Sequence, residues 1–142
     1  MNRKNDRLPT WWCVWLVLLW AGCGEPSDRK SLEGTVTLDG VPLAEGHVKF
    51  VPQRGTKGPI AGGRISAGNF SISPEGGTFT GAFRVEITAT RKTGKKVKDG
   101  RTGEMMDDIQ QFLPPRYNRQ SELTAKVTES GQNQYEFKMK SP

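Results

Sequence analysis

The chain has 142 residues, with 21 Lys and Arg against 15 Asp and Glu, for a formal net charge of +6. This length allows one domain with a sizeable core and argues against several. Two cysteines and a single histidine exclude a disulfide-dense scaffold and leave a thiolate or imidazole metal site short of ligands.

At the N-terminus Arg3, Lys4 and Arg7 precede an apolar run over residues 11–20, and Ala21-Gly22-Cys23 follow. The run is far short of the ~20 apolar residues of a transmembrane helix. Its order of basic, apolar and small residues is that of a secretion signal. The end of the run resembles the lipobox of bacterial lipoproteins. Trp20 takes the aliphatic place, Ala21 and Gly22 the two small places, and Cys23 the place of the acylated cysteine. The resemblance implies a signal peptide over residues 1–22, lipidation (palmitate among the acyl chains) of Cys23, and an exported protein held to a membrane by its lipid. Gly24 stands where Asp marks inner-membrane retention in some diderm bacteria, so the outer membrane is expected over the inner. A non-lipidated signal peptide and an uncleaved N-terminal anchor are the other readings. Cleavage before Cys23 removes Cys13 and all four tryptophans, Trp11, Trp12, Trp15 and Trp20. It also leaves 21 − 3 = 18 basic and 15 − 1 = 14 acidic residues, a net +4.

Residues 23–32 are polar, with Gly, Pro and Ser, and are expected to form the lipidated N-terminus and a short tether. A single domain is expected over residues 33–140. Its apolar residues recur at every second position, the mark of strands with one face buried. The alternating sets are Val36 and Leu38; Val48 and Phe50; Phe70 and Ile72; Phe83, Val85, Ile87 and Ala89; Leu123, Ala125 and Val127; and Tyr135, Phe137 and Met139. A further strand is expected over residues 60–65. Asp39-Gly40 is a strong two-residue hairpin signal, and Gly62-Gly63, Gly76-Gly77 and Gly131 punctuate the other runs. About seven strands at this spacing predict an all-β fold, an antiparallel β-sandwich.

Two segments break the alternation. Residues 91–101 hold Arg91, Lys92, Lys95, Lys96, Lys98 and Arg101 against Asp99 alone, a net +5. They are expected to form a mobile, Gly-containing loop. Its functional reading is contact with anionic lipid headgroups or envelope polysaccharide; the plainer reading is a solvated charged loop. In residues 104–112 the spacing of Met105, Ile109 and Phe112 predicts a helical turn.

The run Gly34-Thr-Val-Thr-Leu-Asp-Gly-Val-Pro-Leu-Ala-Glu-Gly-His-Val-Lys-Phe50 resembles the start of carboxypeptidase regulatory-like domains. Gly34, Val36, Gly40, Pro42, Leu43, Gly46, Val48 and Phe50 fill that family's turn and core places. Gly68-Asn69-Phe70 and Gly81-Ala82-Phe83-Arg84-Val85 resemble its later strands. Leu113-Pro-Pro-Arg-Tyr-Asn118 and Leu123-Thr-Ala-Lys-Val127 resemble the closing part of small bacterial lipoproteins that carry it. The resemblance implies a transthyretin-like (prealbumin-like) sandwich and no particular activity.

No catalytic constellation stands out. His47 falls on the strand face opposite Val48 and Phe50 and is expected to be exposed. Glu104, Asp107 and Asp108 form an acidic cluster without the spacing of a calcium loop. There is no Gly-x-Ser-x-Gly elbow and no phosphate-binding glycine loop. The hydroxyisourate hydrolases share the transthyretin-like fold, but their several histidines and Tyr-Arg-Gly-Ser end are missing here. Tyr117 is expected to cap the core with its hydroxyl on a backbone partner. The expectation is therefore a non-enzymatic envelope lipoprotein without cofactor or metal. Its partners would be the membrane through its lipid, then anionic lipid, envelope polysaccharide or another envelope protein, and not nucleic acid. A carbohydrate-binding module is the alternative, with Tyr117 and Phe79 as its few aromatic candidates.

Overall fold

The computed structural model describes residues 28–142. The signal segment, Cys23 and most of the tether lie outside the described residues. Ten strands follow one another: β1 (Leu32–Leu38), β2 (Val41–Pro42), β3 (Glu45–Pro52), β4 (Ala61–Ser66), β5 (Asn69–Ile72), β6 (Gly81–Thr88), β7 (Thr90–Lys98), β8 (Met105–Gln111), β9 (Thr124–Val127) and β10 (Gln134–Met139). Seven of them lie side by side in the order β10-β1-β5-β4-β3-β6-β9, with β2 pairing on β1. All neighbours are antiparallel except β1 and β10, which run parallel.

The sheet folds where β4 meets β5. These strands share a single pair, Ser66 with Asn69, across a turn in which Ala67 and Gly68 both have positive φ. The two halves then face each other as a sandwich. Phe50 of β3 lies 5.5 Å from Tyr135 and 6.4 Å from Phe137 of β10, and 6.0 Å from Phe70 of β5. Alternation in the sequence reports this core closely: Val48, Phe50, Phe83, Val85, Ile87, Phe70, Ile72, Phe137 and Met139 are all buried. The hairpin at Asp39-Gly40 forms as expected, with φ of 52° and 81° and Leu38 paired to Val41. Both central residues thus take the left-handed region that a primed turn requires.

Three local expectations are corrected. Residues 104–112 form no helix, because Met105, Ile109 and their neighbours lie in strand β8. The basic segment is not a loop, because five of its six basic residues lie in strand β7, paired antiparallel with β8. The tether also ends earlier than residue 32. Lys30 bridges to Thr78 and its ammonium meets Glu129 at 2.7 Å, and Leu32 is wholly buried.

The registers fix which end of the sandwich is which. Leu32 pairs with Ile72, and Lys30 bridges to Thr78, three residues before β6 begins. β6 runs from there to Thr88, which pairs with His47 near the start of β3, beside the Glu45–Ser66 and Ser66–Asn69 pairs. The chain therefore enters the sandwich at one end and leaves β6 at the other.

Candidate functional site

β7 and β8 form a two-stranded ribbon of their own. It continues the chain from the far end of β6 and returns at Phe112. Its base is tied to the sandwich by Ala89: the Ala89 N–H donates to Gln111 Oε1 at 2.9 Å, and the Phe112 N–H donates to the Ala89 carbonyl at 3.2 Å. Neither strand contains a buried residue. β8, seven residues at ~3.4 Å each, makes the ladder roughly 24 Å long, and the two extra residues of β7 are taken up in a register shift between Lys92 and Lys96.

The tip is ordered by Asp99. Its carboxylate accepts the backbone N–H groups of Arg101 at 2.7 Å and Thr102 at 2.9 Å, and its carbonyl accepts that of Gly103. These hydrogen bonds, that of Thr102 first, hold the Asp99 carboxyl below its ordinary pKa. Gly103, at φ of 75°, supplies the left-handed residue of this turn.

Pairing sorts the ribbon's side chains onto two faces, since opposed residues share a face and neighbours along a strand alternate. Lys92 opposes Ile109, Lys96 opposes Asp107, and Lys98 opposes Met105, which places all six on one face. Asp107 sits among them as an acceptor, 2.6 Å from both Lys92 and Lys96. The two ammonium groups hold the Asp107 carboxyl below its ordinary pKa, and Asp107 raises that of Lys92. The other face carries Val97 opposite Met106 and Arg91 opposite Gln110. There Thr93 donates to Asp108 at 2.7 Å, and the Arg91 guanidinium lies 5.5 Å above the Phe112 ring. Lys95, Lys98 and Arg101 have no side-chain partner among the described residues.

Apolar side chains stand out on both faces. Met105 and Ile109 are 62% and 63% exposed on one, and Met106 and Val97 are 49% and 42% exposed on the other. Charge is divided by strand. β7 carries five Lys and Arg and no acid, while β8 carries Asp107 and Asp108 and no base.

Comparison of the chain with protein-family models, with curated proteins and with solved structures gave no match in any of the three.

The remaining candidates are spread apart. His47 is exposed on β3, as its parity predicts. Adjacent on one strand, Asp107 and Asp108 point to opposite faces, which splits the acidic cluster. No group of three or more His, Cys, Asp or Glu among the described residues is placed to hold a metal ion. Tyr117 is 9% exposed, its hydroxyl accepts the Lys140 N–H at 2.9 Å, and Arg116 covers its ring at 5.1 Å. It caps the core and fastens the C-terminal segment, and its ring presents no open platform for a sugar. Phe79 is partly exposed, apart from the ribbon in sequence.

Alternation cannot reveal the ribbon, because it reports burial on one face and the ribbon is wet on both. The signal that could have found it is a strand-length basic segment and a strand-length acidic segment joined by Asp99-Gly100.

Proposed function

We propose that this chain is a non-enzymatic lipoprotein of the cell envelope. It is exported by residues 1–22, anchored through acylated Cys23, more readily to the outer than to the inner membrane, and built on a carboxypeptidase regulatory-like sandwich that presents the β7–β8 ribbon as its contact arm. The observation that carries this reading is a ribbon over residues 90–111 that buries nothing of its own and leaves the sandwich opposite the end where the N-terminal segment arrives. An isolated two-stranded ribbon is marginal in water, and exposed strand edges invite unwanted pairing. A fold that keeps such an element gains something from what the element touches.

The placement also bears on the partner. With the anchor proposed at Cys23 and the sandwich entered at Lys30, a ribbon leaving the opposite end favours a partner beyond the anchoring bilayer. Another envelope protein or an anionic envelope polymer is then a better partner than the lipid beneath. The test is crosslinking in intact cells, comparing the full chain with a version in which Ala89 is joined to Phe112 by Asn-Gly. The expected result is loss of the adducts with the ribbon while membrane fractionation is unchanged. Adducts that persist without the ribbon would overturn the reading.

A further inference from the structure

Among the described residues each strand of the ribbon has one neighbour and therefore one free edge. We propose that the free edge of β7 takes the free edge of β8 from a second copy of this chain, so that ribbons join side by side into a continuous antiparallel sheet. The inference rests on reading the ribbon as a contact arm and names what it contacts.

Charge selects this pairing over its alternatives. Like charges directly opposed across strands are destabilising, and opposite charges are favourable. Pairing β7 with β7 of another copy sets Arg91, Lys92, Lys95, Lys96 and Lys98 against the same five cations. Pairing β8 with β8 sets Asp107 and Asp108 against each other. Only β7 on β8 sets a basic strand beside an acidic one. The lysines of β7 thus guard its edge against most strands and leave it open to an acidic one.

The intrachain ribbon shows that the two sequences suit each other. Lys96 meets Asp107 in a 2.6 Å ion pair, and Val97 lies opposite Met106. Outside the register shift between Lys92 and Lys96, a second β8 on the outer edge of β7 would find the same side chains on the same two faces. It would also bring Asp108, bonded within its own chain to the Thr93 hydroxyl alone, towards Lys95, and Asp107 towards Lys98. Met105 and Ile109 on one face, and Met106 and Val97 on the other, would gain neighbours and lose water.

Direction agrees as well. Because β7 and β8 are antiparallel, a neighbour joined through β8 has its own β7 parallel to the first. All copies then point the same way, as molecules anchored in one membrane must. The contact is heterologous, so it extends into rows or closes into rings.

The test uses full chains grown on ordinary and on heavy nitrogen, mixed in detergent, placed together in vesicles and treated with a zero-length carbodiimide, which joins Lys to Asp at ion-pair distance. The expected product is a mixed-isotope peptide linking Lys95 or Lys98 to Asp107 or Asp108. Asp108→Lys is expected to reduce it about tenfold, and Glu122→Lys, the same charge change outside the ribbon, to leave it intact. Asp108→Asn, which can still accept from Thr93, guards against a misfolded ribbon and should give an intermediate loss. Absence of mixed-isotope product, mixed products confined to other surfaces, or an undiminished yield from Asp108→Lys would each overturn the inference. If mixed-isotope product is absent while ribbon-dependent adducts to another molecule persist in cells, this inference fails and the contact-arm reading stands.

Discussion

Gly34 shows how tightly one residue can be specified in this fold. It lies in β1 between β5 and β10, opposite Phe70 and Tyr135. A Cβ there would meet the Tyr135 carbonyl oxygen and, at 2.8 Å, the Phe70 ring. Phe70 cannot retreat, because it also packs near Phe50 and stacks on Phe137, and the Tyr135 backbone is held by the β1–β10 pairing. Gly34→Ala is expected to destabilise the domain by about 1–3 kcal/mol, read from urea unfolding of the full chain. Asp107 is the ribbon's counterpart. Its pKa is lower folded than unfolded, so its ion pairs contribute fully above the ordinary carboxylate value of 3.8 and are lost as pH falls through the lowered value. A carboxyl-detected NMR titration should place its midpoint below 3.8, and Lys92→Gln with Lys96→Gln should move it upward. A midpoint at the ordinary value in the unsubstituted chain would show that the ion pairs do not persist in solution.

The ribbon contributes reach without contributing core. Joining Ala89 to Phe112 through Asn-Gly removes no buried side chain of β7 or β8, and those two residues already share a hydrogen bond. Calorimetry is expected to find the unfolding midpoint within about 4 °C of the full chain, the shift that goes with roughly 1 kcal/mol in a domain of this size. A larger fall would mean that the ribbon braces the sandwich. The same property explains what the sequence made legible. Strands with one dry face announce themselves by period two, and β1, β3, β5, β6, β9 and β10 were readable for that reason. β7 has no dry face, so its lysines suggested a loop. In β8 the spacing of Met105, Ile109 and Phe112 imitates a helical stripe, although the first two side chains face water. The parallel pairing of β1 with β10 was not legible either, because it joins segments about a hundred residues apart and no local turn dictates it.

At the scale of the whole molecule, the proposed address rests on Cys23 and the proposed contact on residues 90–111. These assignments can be tested separately. Mass spectrometry of the N-terminus is expected to find Cys23 first in the mature chain and acylated, and Cys23→Ser to abolish the acyl mass. An unmodified Cys23 in the unsubstituted chain would overturn the lipid anchor. The two ends of the sandwich are joined by β6, which passes directly through Ala89 into β7. A load taken up at the ribbon and resisted at the N-terminal segment therefore travels along the strands, across the direction of the ladder hydrogen bonds. The ladders on either side of β6, to β3 and to β9, would share such a pull in shear and would not open pair by pair. If the proposed anchor and contact arm both hold, the sandwich serves as a tension member between the membrane and whatever the arm holds.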